Sequence, residues 1–166
     1  MQEKKAKTSS RYQFIAEHHG GPVTINNHRK LMRWARGCSE HVLSLLELSI
    51  DERLVYALQV AREWEDDMAP TGKAMKASLA AHAAARDASN PVLTAIARSV
   101  GQAVATAHMA DHSMGAALYA LKALKLAGKS REEEREWQIR QLQHLPAEIA
   151  TMVRDRMAEK GKSFKL

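Results

Sequence analysis

Seven side chains carry most of the chemistry that residue type and spacing offer here: Cys38, His41, His82, Arg86, His108, Asp111 and His112. His108-Met-Ala-Asp-His112 sets two imidazoles at i and i+4, a spacing that places both on one helical face and lets them grip a metal ion. The second position is Met109, where an HExxH site carries its glutamate base. His41 and Asp111 are the further candidate ligands, so the metal candidates are His41, His108, Asp111 and His112, and no ligand set is complete by spacing alone. Cys38 and His41 lie one turn apart, but a thiol nucleophile needs an exposed sulfur and an oxyanion donor, and neither is evident. The glycines are scattered and form neither GxxxxGK[ST] nor GxGxxG, so no phosphate loop and no cofactor are implied.

Helices must position these groups. Alanine is abundant, aromatics make up 5%, and β-branched residues are sparse, which points to an all-α chain. Leu31, Trp34, Ala35, Cys38, Val42, Leu45 and Leu46 recur at helical spacing behind Asn26 or Asn27 as N-cap, predicting a first helix to about Leu48. A second helix follows Ser49 or Asp51 with Leu54, Ala57, Leu58, Ala61, Trp64 and Met68 inward. A third runs from about Thr71 to Ala88. Asn90-Pro91 opens a fourth as N-cap and N1 proline. Phase is lost near residues 109–113, so a fifth helix begins there and ends at Gly128. Ser130 to Glu133 matches a capping box for a sixth, to about His144, and Pro146 starts a last one that frays from Gly161. Residues 1–24 show almost no periodic apolar pattern and are expected to be a poorly ordered basic arm. Residues 25–160 form one helical domain, a single-domain bundle of six to seven helices.

Phase puts Cys38 inside the first apolar stripe and His41 at its edge. His82 and Arg86 share the inner side of the third helix, and His108 lies near the edge of the fourth. A buried guanidinium needs a carboxylate, and Asp111 is the suggestive partner for Arg86. The expectation is that these polar groups converge inside the bundle. Each also has a plain structural role: Cys38 as small core filler, His82 as a hydrogen-bonded core imidazole, Asp111 as an N-cap. The carboxylates Glu63, Glu65, Asp66 and Asp67 read as a solvated helix end.

One cysteine excludes a disulfide framework, no apolar run reaches the length of a membrane span, and the first residues lack a secretory h-region. A reducing cytoplasm is the expected location, with no membrane. The net charge is +6, with residues 1–30 holding six Lys/Arg against two acids and residues 31–128 ten against ten. The excess is terminal and without aromatic interleaving, which disfavours a nucleic-acid partner.

Several segments together resemble a known family. They are His28-Arg-Lys-Leu-Met-Arg-Trp34 running into Ala-Arg-Gly-Cys38-Ser-Glu-His41-Val-Leu, then Ala-Arg-Glu-Trp64, Ala-Ala-His82-Ala-Ala-Ala-Arg86, and Ala-Thr-Ala-His108-Met-Ala-Asp111-His112-Ser-Met-Gly-Ala-Ala. Over about residues 25–127 the chain resembles bacterial immunity proteins associated with polymorphic-toxin systems. The resemblance implies a cytoplasmic protein that binds and neutralises a cognate toxin domain without catalysis; a homo-oligomer stays open. The alternative is a metal-binding helical protein or hydrolase using the His/Asp cluster. The residues matching the family pattern include all seven named above.

Overall fold

A computed structural model describes residues 11–166. Helix α1 (Ile25–Leu46) starts two or three residues earlier than asparagine capping predicts. Thr24 is its N-cap and accepts from the Asn27 N–H at 3.2 Å. Glu47, in the left-handed region at φ 50°, stops it. Asp51 caps α2 (Glu52–Glu65), accepting from the Arg53 N–H. Helix α3 spans Thr71–Asp87. Asn90 and Pro91 open α4 (Pro91–Ala105) as expected, with Asn90 accepting from the Leu93 N–H at 3.0 Å. Residues 106–111 make i→i+3 turns that interrupt the helical phase before α5 (His112–Leu126). Gly128, at φ 71°, ends that rod. Helix α6 (Arg131–Gln141) tightens into a 3₁₀ turn at Leu142–His144, and α7 (Ala147–Phe164) continues three residues past Gly161.

The protein is an all-α single domain. Helices α1 and α5 sit in its middle because each buries two faces. Met32 and Val42 of α1 join Ala120 and Leu124 of α5 in a core shared with α2, α3 and α4. Leu31, Trp34 and Cys38 join Met114, Leu118 and Leu121 in a second core, covered by α6, the Leu142–His144 turn and α7. Between them Ala35, Ala103 and Ala116 meet where α1, α4 and α5 cross; small side chains there allow close backbone approach. Ser39 hydrogen-bonds Ser99 at 2.8 Å, and Ser99 donates to the Ala116 carbonyl, so the crossing is also pinned by hydroxyls.

The expectation of a poorly ordered arm covers residues 1–24; residues 1–10 lie outside the described residues. Residues 11–24 hold two 3₁₀ turns (Tyr12–Phe14 and Glu17–His19) and an Ala16–Val23 bridge, and they bury Phe14 and Val23 in the second core. Such turns carry no 3.6-residue period, which is why the apolar pattern here is invisible.

Candidate functional site

Helix α1 presents Lys30, Arg33, Trp34, Gly37 and His41 at helical spacing along one side, facing α6. Trp34 donates its indole N–H to the Gln138 carbonyl at 2.9 Å, and the Gln138 amide donates to the Ala117 carbonyl at 3.1 Å. These bonds fix α6 against α1 and α5 with almost no apolar stripe of its own. Between the two rods lies a cleft of about 750 Å³. Trp34, Trp137 and Leu145 form its apolar wall, and Gln141 and His144 stand at the far side.

His41 is the hinge of this wall. Its ring stacks flat on Trp137, centroids 3.8 Å apart at 8°, and its Nδ1 donates to Glu134 Oε2 at 2.6 Å. Glu134 is buried, and burial pushes its carboxyl above the ordinary glutamate range, partly offset by His41. A carboxylate-oriented imidazole on a cleft can move a proton, but no Ser, Thr or Cys lines the cleft beside it. Cys38 lies beneath, fully buried; burial pushes its thiol well up and the nearby Glu134 adds to this, the reverse of an activated nucleophile.

Arg36, also on the cleft wall, reaches away from α6 to Glu65. Its Nε and Nη2 meet both carboxylate oxygens at 2.7 and 3.0 Å, and its Nη1 meets Glu40 at 2.9 Å. Glu65 is therefore buried, which corrects the reading of residues 63–67 as a wholly solvated end. Burial works against the Arg36 charge, and the paired carboxylates outweigh it and raise its pKa.

The remaining candidates fall in two other places, so the expected convergence does not occur. His82 lies half-buried between α3 and α4, accepting from Arg98 Nη1 at 2.9 Å; burial and then the neighbouring Arg98 and Arg86 charges depress its pKa. Arg86 is exposed at the end of α3. Asp111 is not its partner. That carboxylate accepts from Arg156 Nε at 2.9 Å and Lys160 Nζ at 2.6 Å, because these α7 residues stand at i and i+4 beside the start of α5. Burial alone would raise the Asp111 carboxyl; the two cations outweigh it and hold it low. Asp111 occupies the N-cap position of α5 without a capping bond. His112 is half-buried with Nδ1 at 2.8 Å from Gln102 Oε1, and His108 is exposed. His41 is thus parted from His108, Asp111 and His112. Among the described residues no three His, Cys, Asp or Glu side chains are grouped to hold a metal ion.

Sequence reasoning missed Glu134, Trp137, Lys30 and Arg33 as site residues. The available signal was the spacing 30, 33, 37, 41 on a second side of α1. It also missed His28, which is buried, hydrogen-bonds the Thr106 carbonyl through Nε2, and sits edge-on to Trp64.

A family model described as "Imm-5 like putative immunity protein" matches residues 21–145. The chain belongs to this family. No curated protein and no solved structure matches it. The matched span contains every residue that lines the cleft, whereas α7 lies beyond it. Among the described residues no helix is long and apolar enough to cross a membrane.

Proposed function

We propose that this protein is a cytoplasmic immunity protein that binds a cognate toxin domain and neutralises it without catalysis. Membership of the Imm-5 like family carries the reading. The geometry favours binding over chemistry: the buried carboxylates Glu65, Asp111 and Glu134 are each engaged by a basic side chain from another helix, and the His41–Glu134 pair has no hydroxyl or thiol lining the cleft beside it. A tight complex of this kind buries about 1,600 Å² in total.

The test is co-expression with the toxin domain encoded beside this chain's gene. The expected result is a stable complex through size exclusion and loss of toxin activity at equimolar protein. Toxin that stays active and elutes separately overturns the reading.

A further inference from the structure

Glycine weakens the interior of a helix relative to alanine, so a mid-helix glycine calls for a reason. Two glycines supply one by packing: a Cβ at Gly101 would stand 2.7 Å from the His82 ring, and one at Gly115 would stand 2.7 Å from Gln102 Oε1. Gly37 has no such reason. It sits in the middle of α1, and a Cβ there would meet nothing within 4 Å. What its bare backbone does provide is depth in the cleft between α1 and α6, which it lines.

The charges around this floor are unbalanced. Glu65 is held by Nε and Nη2 of Arg36, and Glu40 is shared by Arg36 and Arg62. Lys30 makes no ion pair with the described residues. Arg33, its side chain 68% exposed, has only a 3.6 Å approach to a Glu65 oxygen already held by Arg36. Two cations therefore stand over an apolar wall with their nearby carboxylates already engaged. A nucleic-acid backbone asks for a continuous basic stripe instead. A protein ridge carrying carboxylates beside an apolar side chain matches both the charge and the tryptophan wall.

We propose that this cleft is the toxin-docking site, resting on the immunity reading above, and that its occupant is an acidic segment of the toxin domain. Its carboxylates meet Lys30 and Arg33, and an apolar side chain seats on the Gly37 floor against Trp137.

The test uses the full chain and the purified toxin domain encoded beside its gene, titrated by calorimetry at low and high salt. Three variants are compared: Gly37→Leu, the pair Lys30→Glu with Arg33→Glu, and Lys76→Glu on the exposed side of α3 as a control. Gly37→Leu fills open space and is expected to keep the helix while weakening toxin binding about tenfold or more. The reversed pair is expected to weaken it similarly and to flatten its salt dependence, with the control unchanged. Because Lys30 and Arg33 lie at the surface, that pair decides the matter even if Gly37→Leu fails to fold. Wild type that binds toxin while the reversed pair binds within about twofold overturns the cleft and leaves the immunity reading standing. Wild type that does not bind toxin overturns the immunity reading itself. A 20-base-pair duplex that binds wild type and not the reversed pair, with toxin binding unaffected, assigns the cleft to nucleic acid and overturns the proposal.

Discussion

Replacing Arg36 by methionine keeps most of the side-chain volume on α1 and removes the guanidinium from Glu65. In the native protein the Glu65 side chain is 4% exposed and that of Arg36 is 13%, so both charges are largely out of water. Breaking such a pair from one side costs about 3–5 kcal/mol, because the surviving carboxylate is left buried and unpaired. Arg33 Nε already lies 3.6 Å from Glu65 Oε2 and can move in, which places the cost near the lower end, about 3 kcal/mol. With a urea slope of about 2 kcal/mol/M, the unfolding midpoint of Arg36→Met falls by about 1.5 M. Adding Glu65→Leu removes the stranded charge, and the double variant is expected to recover most of the loss, since a well-packed apolar pair is about as stable as a buried ion pair. The assay is urea denaturation of wild type, both single variants and the double variant, followed by circular dichroism. An Arg36→Met midpoint within about 0.3 M of wild type, or a double variant no more stable than Arg36→Met, refutes the argument that Glu65 is a buried charge kept by one partner.

Three further outcomes follow from the same geometry. Asp111→Asn removes the negative charge and one of the two acceptor oxygens that hold Arg156 and Lys160, and is expected to cost about 2 kcal/mol at neutral pH, read by thermal melts. The folded Asp111 carboxyl is held below its ordinary value of 3.8, so its contribution is full above that value and lost as the pH falls through the lower folded value. The gap between wild type and Asp111→Asn should therefore close on acidification, and a gap that widens refutes the pairing. Gly21→Ala places a Cβ 2.1 Å from the Ile15 carbonyl oxygen, a backbone atom that cannot swing aside; a loss of about 1–3 kcal/mol is expected, with faster amide exchange at Phe14 and Val23. Cys38, buried with its thiol pushed up, should resist a disulfide reagent at pH 8 until urea unfolds the chain, and stoichiometric reaction of the native protein within seconds would contradict its placement.

The helices were legible because their ends carry local chemistry. Asn90-Pro91, Asp51 and Gly128 mark boundaries by what they do to neighbouring backbone, and the structure places them there. The pairing of polar groups was not legible, because it is decided between helices. Helix α6 reads as a charged surface rod, yet it buries Glu134 and Gln138; each is hydrogen-bonded to a residue far away in sequence, His41 and Ala117. Asp111 takes its partners from α7, a helix whose Arg156 and Lys160 look like ordinary solvated cations. Phase on α3 placed Arg86 beside His82, correctly as neighbours. It could not tell that Arg86 lies on the exposed side of a turn whose Ala84 and Ala85 are buried.

The dispersal of these groups bears on what the bundle is built for. Its core is rich in alanine and poor in aromatics, so apolar contact distinguishes weakly between one helix pairing and another. The polar pairs supply that distinction. Ser39 and Ser99 with the Ala116 carbonyl pin α1, α4 and α5, and Ser78 donates to the Gly101 carbonyl between α3 and α4. Trp34 and Gln138 fix α6, and Asp111 fixes α7. A catalytic centre asks the reverse, several titratable groups brought to one place with their remaining valences free. Here Glu65, Glu134 and Asp111 are each engaged at a different seam, while Arg86 and His108 lie exposed. The consequence is a set of helices tied at defined positions, and a cleft whose Trp34 is hydrogen-bonded to Gln138 and whose Trp137 is stacked on His41. Such preorganisation lowers the entropic cost of binding a protein surface, as the proposed toxin docking requires.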